Sequence, residues 1–406
     1  MLSIKMAFRN LLRQKRRTVY TAISMIIGFT LAAFFIGWQD GSYNTIIDNF
    51  TRYKTGHIQI HKGNYLDSPK MYKTIRNPQK VFGALNNTEK VVSFSARIKA
   101  GGLVSLNDKS AGAQITGINP VRENKTISFK RKVTEGKYFS DNPESYECLI
   151  GKGLKRLLNA QIGDEIVVLS QAADGSIANE IFKLKGIIDL GSDFENRSAF
   201  YIKLQQAKEL FVLYDQVHEI AVNIENVKFA EEVAENLKQK IGNPDLSIAS
   251  WKIFAKSFYK AMKADQEGMW ISLLVVIIVV AIGGLNTVLM SVLERRREYG
   301  VLKAIGTKPT QIVKLIIYEN TILAIMSIVV GAVLGTILNS ILSEHGITLS
   351  QPLDYGGMTF KVVKSEINFR SYWIPTVTVF FSAIFVCIFP AIKAARTKPA
   401  EAMRIF

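Results

Sequence analysis

The sequence predicts a membrane protein with four transmembrane α-helices and one large extracytoplasmic α+β domain. Three observations predict it. Four apolar runs, Thr18–Trp38, Met269–Leu293, Leu315–Leu338 and Ile374–Ile392, each reach the length of about 20 residues that a bilayer crossing needs. Residues 1–17, 294–314 and the tail from Lys393 together carry +13 of the formal net charge of +17, and each abuts one of those runs. Between the first and second runs lie 230 residues with soluble, mixed α/β patterning. Lys and Arg concentrate in cytoplasmic loops, so the three basic pieces belong on one face and both termini are expected in the cytoplasm. The base excess is then a topology signal, and no nucleic-acid partner is needed to explain it.

Taken in order, residues 1–17 contain Lys5, Arg9, Arg13, Lys15, Arg16 and Arg17 without an acid. With Met6, Ala7, Leu11 and Leu12 on the other side, residues 4–17 predict an amphipathic helix on the inner surface. The first crossing, 18–38, has an apolar core of about 21 residues and no small-residue cleavage site after it, so it is not expected to be a removable signal peptide. Gly28 and Gly37 give it a close-packing face. Tyr43, Ile46, Ile47 and Phe50 continue the helical spacing as a stalk that ends at Thr55-Gly56.

Residues 39–268 are expected outside the membrane. A strand is predicted at Gly56–His61 and a helix from Asn77-Pro78 through Leu85. Strands follow at Val91–Ile98, Gly102–Leu106 and Ala113–Ile118. From about Asn119 to Leu204 short strands with turns predict a β-rich insertion: Cys148–Ile150, Glu165–Ser170, Ile181–Ile188 and Ala199–Ile202. A helix at Gln205–Leu213, a strand at Glu219–Ile224 and a helix at Lys228–Ile241 complete a split α+β part. A second stalk, Trp251–Glu267, leads into the second crossing at 269–293. Both long helices therefore enter the domain without a flexible linker. The third crossing, 315–338, carries Gly331 and Gly335 as a GxxxG step, which fits either a dimer face or packing within the chain. An outer loop at 339–373, the fourth crossing at 374–392 and a cytoplasmic tail at 393–406 follow.

The chemistry of catalysis is not legible here. Neither Gly300–Gly306 nor Gly151-Lys152-Gly153 has the spacing of a phosphate loop. His57 and His61 share a strand face but lack a third ligand, so a solvated strand face is expected and no metal site. Cys148 falls in the predicted outer domain and Cys387 inside the fourth crossing, so they are not expected to pair, and no disulfide or metal framework is present. Glu319 and Asn320 are polar residues near the cytoplasmic start of the third crossing. An acid at that depth fits an ion path or, within a turn or two of the interface, pairing with a base.

The most informative stretch is the turn at 294–314 between the second and third crossings. Arg295, Arg296 and Arg297 cannot sit in hydrocarbon. From Tyr299 the spacing of Val301, Leu302 and Ile305, with Lys303 and Lys308 opposite, predicts a short amphipathic helix beneath the bilayer. Both a headgroup anchor and a docking helix for a cytoplasmic partner fit it.

Three motifs carry a family resemblance. Ala7, Arg9, Asn10 and Leu11 with Arg17-Thr18 open the chain. Glu294–Glu298 with Gly300, Lys303, Ala304 and Gly306 form the turn, with Tyr299 and Lys303 where the family usually has Ile and Arg. Ala394, Ala395 and Arg396 with Pro399, Ala400, Ala402, Met403 and Arg404 close the chain. In this order and topology the sequence resembles the FtsX-like/MacB-like (type VII) permease subunits of ABC transporters, and among them the LolC/LolE lipoprotein-releasing branch. The resemblance implies an inner-membrane protein with a periplasmic domain that works by mechanotransmission, with no cofactor of its own. ATP and Mg would be bound by a separate cytoplasmic ATPase, two copies per complex. That ATPase would be received on Glu294, Arg295, Arg296, Arg297, Glu298, Gly300, Lys303 and Gly306. A second permease, as a homodimer or a LolC/LolE-like heterodimer, membrane lipid, lipoprotein cargo and a periplasmic chaperone are the other implied partners. Cargo is expected near Phe34, Phe35, Trp38, Met269 and Trp270, where an aromatic interface belt would place the same residue types. Export of peptides, toxins or antibiotics in the MacB manner, and an FtsX-like scaffold that activates a cell-wall hydrolase, are the alternative functions.

Overall fold

The computed structural model describes residues 6–7, 9–10, 13, 15–355 and 358–397. It divides into two compact units. One gathers Met1–Asn44, Lys263–Thr348 and Val362–Phe406; the other gathers Thr45–Met262 and Leu349–Lys361.

Helix α1 spans Lys15–Phe50 in 36 residues. At about 1.5 Å per residue it is roughly 54 Å long, well beyond the ~30 Å of hydrocarbon in a bilayer. Met25, Phe29, Ala32, Ala33 and Ile36 on one side are buried, while Val19, Tyr20, Ile23, Ile27 and Leu31 on the other are exposed. An apolar stripe left outside the protein is costly in water and favourable in lipid, which is where it belongs. A π-helical turn, Thr51–Thr55, follows α1 and stops at Gly56 with φ +84°. A Cβ at Gly56 would also lie 3.0 Å from the Val222 nitrogen, so the expected stop at Thr55-Gly56 has both a torsional and a steric cause. The described part of the expected helix at 4–17, namely residues 6, 7, 9, 10 and 13, is helical; Leu11 and Leu12 lie outside the described residues.

The second unit runs β1 (Ile58–Lys62), β2 (Ile75–Arg76), α2 (Pro78–Asn86), β3 (Val91–Leu106), β4 (Lys109–Ile118), α3 (Pro120–Ile127) and a 3-10 turn at Phe129–Lys132. It continues with β5 (Val133–Gly136), β6 (Glu147–Gly151), α4 (Lys152–Leu158), β7 (Glu165–Gln171), β8 (Ile177–Ile188), α5 (Asp193–Ser198) and β9 (Ala199–Lys203). It ends with α6 (Leu204–Leu210), β10 (Gln216–Val217), β11 (Glu219–Ile224), α7 (Ala230–Ile241), β12 (Leu246–Ser250) and α8 (Trp251–Phe254). The main sheet has the order β12-β1-β11-β3-β4-β9-β6-β8-β5, and β7 pairs with both β3 and β8. The strands β3, β4, β9, β6, β8 and β7 thereby close a ring. The ring borrows β3 and β4 from before Asn119, so the β-rich part is built onto the strands of the α+β part.

Two expectations are corrected here. Val91–Ile98 and Gly102–Leu106 are one strand of 16 residues, not two. Gly101-Gly102 reads as a break, yet a Cβ at Gly102 would lie 2.9 Å from the Leu169 carbonyl oxygen, so the missing side chain is what lets β7 approach. His57 and His61 are fully buried rather than solvated. Strand β1 is flanked on both edges by β11 and β12, and the backbone N–H of Ile224 donates to His57 Nδ1 at 3.0 Å. His61 Nε2 faces Glu219 Oε2 at 3.1 Å. Among the described residues no group of His, Cys, Asp and Glu could hold a metal ion.

Helix α9 (Lys256–Glu294) follows a one-residue interruption at Ala255, whose φ of −106° and ψ of 41° separate it from α8. The second stalk is therefore continuous only from Lys256, which corrects the single helix expected from Trp251. The boundary between the two units falls within α1 and within α9. Helices α10 (Arg296–Ala304), α11 (Pro309–His345) and α12 (Arg370–Arg396) complete the chain, with a hairpin of β13 (Ile347–Tyr355) and β14 (Met358–Val363) between the last two. Among the described residues three helices, at Thr18–Thr55, Pro309–His345 and Arg370–Arg396, are long and apolar enough to cross a membrane. The Met269–Leu293 run lies inside α9. The core of the first unit joins Met25, Phe29 and Ala33 of α1 to Ala324 of α11 and to Val379 and Ala383 of α12. The GxxxG step serves this packing: a Cβ at Gly331 would lie 2.9 Å from that of Phe29, and one at Gly335 3.2 Å from that of Ala33. Within this chain the step is therefore occupied by α1.

Candidate functional site: the basic elbow at 294–308

The chain leaves α9 at Glu294, turns at Arg295 (φ −94°, ψ 12°) and immediately begins α10. Helix α10 stops because Gly306 adopts φ +97°, a left-handed conformation that costs a residue with a Cβ about 1–2 kcal/mol. The Gly306 N–H donates to the Lys303 carbonyl and the Thr307 N–H to the Leu302 carbonyl, so two of the orphan carbonyls at the helix end are satisfied. Pro309 then starts α11 in the first-turn position that its fixed φ favours.

The elbow is anchored at three points. Tyr299, 1% exposed, packs with Val292, Ile312, Ile316, Ala391 and Ala394. Arg295 is buried, with its guanidinium 5.2 Å from the Tyr299 ring centre. Its Nη1 pairs with Glu319 Oε2 at 2.8 Å and its Nε with Glu298 Oε2 at 2.9 Å. The other oxygen of Glu319 accepts from Asn10 Nδ2 at 2.7 Å. Lys303 Nζ donates to the carbonyl oxygens of Ala395 and Thr397, both at 2.8 Å, and so caps the end of α12.

These bonds bring together the three stretches that carried the family resemblance. Asn10 comes from the opening motif, Arg295 and Lys303 from the turn, and Ala395 from the closing motif; Pro399–Arg404 lie outside the described residues. Glu319 is the residue that joins the first two. In the sequence it reads only as an acid that could pair with a base, and the base that pairs with it is Arg295, 24 positions earlier.

The eight residues expected at the coupling turn therefore divide. Arg295 and Lys303 hold the elbow in place, Gly306 shapes its exit, and Gly300 is buried within α10. Glu294, Arg297 and Glu298 are exposed, and Arg296 is half-buried beside a cleft with Val292, Phe389 and Arg396. Val301 is 46% exposed and Ile305 75%. Arg297 and Val301 of α10 and Ile305 just past its end, spaced four apart, form a face with one charge and two apolar side chains that no described residue covers. The five residues expected near cargo form a looser group. The Phe34 and Trp38 rings stack at 6.3 Å, Phe35 meets Trp38 edge-on, and Tyr43 donates to the Met269 sulfur at 3.4 Å. Trp270 lies under the Arg370 guanidinium at 5.6 Å.

Comparison with known proteins places these elements in a wider group. The family profile described as MacB-like periplasmic core domain matches residues 18–240, more than half of the chain. The profile described as FtsX-like permease C-terminal matches residues 270–399. The lipoprotein-releasing system transmembrane protein LolC of Neisseria meningitidis is 21% identical over 333 residues, 78% of this chain and 79% of that protein. The macrolide export ATP-binding/permease protein MacB of Campylobacter jejuni is 24% identical over 98% of this chain, which spans 60% of that protein. The periplasmic region of MacB from Actinobacillus actinomycetemcomitans matches 53% of this chain with a TM-score of 0.39 and 15% identity.

Proposed function

The chain belongs to the FtsX-like ABC transporter permeases that carry a MacB-like periplasmic core domain, and on that premise we propose that it drives release of lipoproteins from the inner membrane. In this reading α9 also crosses the bilayer, giving four crossings, and the three basic pieces face the cytoplasm. A separate ATPase docks on the elbow. The LolC relative, aligned over similar shares of both chains, supports lipoprotein release over macrolide-type export.

One observation carries the coupling role: the free face of Arg297, Val301 and Ile305 on a helix that is clamped from behind by Arg295–Glu319 and Lys303. A partner groove receiving an amphipathic helix reads apolar residues at this spacing. The clamp means that a push on α10 is passed to α11 and α12 rather than absorbed by a hinge. In this reading α1 and α9, each one continuous helix, carry the movement outward. Work is then done outside without a channel. The expected test is co-purification of the ATPase with the full chain. V301D/I305D should lower its recovery and the stimulation of its hydrolysis at least tenfold, with thermal unfolding of the chain unchanged. Undiminished recovery would overturn the docking role. A copurifying triacylated lipoprotein supports the release reading; a periplasmic adaptor in its place supports export.

A further inference from the structure

Within the second unit lies a polar cleft of about 170 Å³ that the transport reading does not use. Its floor is a row of cross-strand neighbours. Lys99 of β3 is in register with Thr116 of β4, and Thr116 with Tyr201 of β9, so the three side chains stand side by side on one sheet face. One wall carries Lys132 at the end of the 3-10 turn; another carries Lys54 in the π-helical turn that ends α1.

The charges in this cleft do not balance. Lys54 pairs with Glu195 at 2.8 Å, Arg97 with Glu123 and Glu219 at 2.7 Å each, and Lys99 with Glu219 at 2.6 Å. Three cations thus share three carboxylates. Lys132 is the fourth cation, and among the described residues no carboxylate lies within 4.0 Å of its Nζ; Glu195 and Glu123 act on it only from farther away, and the Phe129 ring centre is 5.9 Å from it. The Tyr201 and Thr116 hydroxyls likewise make no hydrogen bond to a described residue, although Thr116 is only 5% exposed. The half-buried Lys132 and the Thr116 and Tyr201 side chains line the same cleft, so a charged donor and two hydroxyls that no described residue engages are available to a ligand there.

We propose that this cleft binds a small molecule through an oxyanion group, a phosphate or carboxylate, with Lys132 as counter-charge and Tyr201 and Thr116 as additional donors. Charge-assisted hydrogen bonds of this kind are the strong ones. The electrostatics agree. Burial first, then the positive charges of Lys54 and Arg97, push Lys132 down to about 8 against the opposing pull of Glu195 and Glu123, and an incoming anion would relieve that strain on the ammonium. The volume is that of about five or six waters at ~30 Å³ each, enough for a three- or four-carbon phosphate ester or dicarboxylate and far too little for acyl chains. Since Lys54 closes the turn at the end of α1, the occupant would sit against that stalk. The proposal stands independently of the ATPase and cargo assignments.

The test uses the full chain in detergent with inorganic phosphate, glycerol 3-phosphate and succinate as probes, read by calorimetry and by the NMR signal of 13C-methylated Lys132. Saturable binding of any of the three is expected. K132Q should weaken it about tenfold, the loss of one charged contact; Y201F should weaken it several-fold and K132R should preserve it. K132Q breaks no ion pair, so its unfolding temperature should match the parent, and Y201F provides an independent reading if it does not. If no free anion saturates but the Lys132 signal shifts in nanodiscs containing phosphatidylglycerol and not in phosphatidylcholine, the oxyanion is a lipid headgroup. No saturation by any probe or lipid, or equal affinity in K132Q, overturns the site.

Discussion

Residue 295 carries a guanidinium held between two carboxylates and an aromatic ring, while its neighbour two positions on carries one in solvent. The sequence presents them as equivalent members of a triplet; burial makes them opposites. Arg295→Ala would strand the Glu319 carboxylate, 8% exposed, with Asn10 as its remaining described partner. Removing one member of a buried pair costs about 3–5 kcal/mol, and a loss of that order in the stability of the detergent-solubilised chain is expected. Arg297→Ala should stay within about 0.5 kcal/mol, because its side chain is exposed. Thermal unfolding of the two variants side by side checks the division between clamp and docking face; equal losses would refute it. His57 and His61 make the same point in the outer unit, where strand alternation gives their common face but not that the face is buried, with the Tyr65 ring stacked on His61.

At the scale of the element, helix ends were the most readable features and short helices the least. Gly306 ends α10 through its positive φ, so Gly306→Ala should destabilise the elbow by about 1–2 kcal/mol, measurable as a lowered unfolding midpoint, and should reduce ATPase stimulation without touching the docking face. The long helices were visible in their apolar runs because a crossing needs a fixed length of them. The short helix α3 has no readable period, although Asn119-Pro120 carries the same start signal as Asn77-Pro78, with the Asn119 side chain accepting the Arg122 N–H at 3.0 Å. Eight residues bury too little to reveal a helical period, and only the cap distinguishes them from a turn. Conversely, Gly101-Gly102 reads as punctuation and is instead the point where a second strand is admitted.

The whole molecule responds to acid through groups buried in its outer unit. Burial, reinforced by Arg52, pushes His57 down to about 4, so the folded chain holds it neutral. Its contribution is fully present above the unfolded value of 6.5 and is lost as pH falls toward 4, a swing of roughly 3 kcal/mol. Burial alone would raise Glu219, but Lys99, His61 and Arg97 outweigh it and hold the carboxyl well below its ordinary 4.5, so its contribution is present above that value and begins to fade below it. From these two groups stability should hold down to about pH 6.5 and fall between 6.5 and 4, more steeply below 4.5, where the unfolded chain takes up a proton that the folded Glu219 carboxyl does not. Denaturant midpoints from pH 7.5 to 4 check this, and H57Q should flatten the upper part of the slope. A midpoint that does not move over that range would exclude the role of His57.

By itself the sequence determined the long apolar helices, the α+β character of the outer part and the family, because membrane length and period-two or period-3.6 patterning are written in local order. Tertiary structure alone decided which arginine is buried, that Glu319 joins the opening motif to the turn, that Gly331 packs on Phe29, and that Lys132 shares a cleft with Thr116 and Tyr201. Those facts depend on pairings between positions tens to hundreds of residues apart. Partners at such separations are chosen by packing and desolvation in the folded chain, and no local pattern records them.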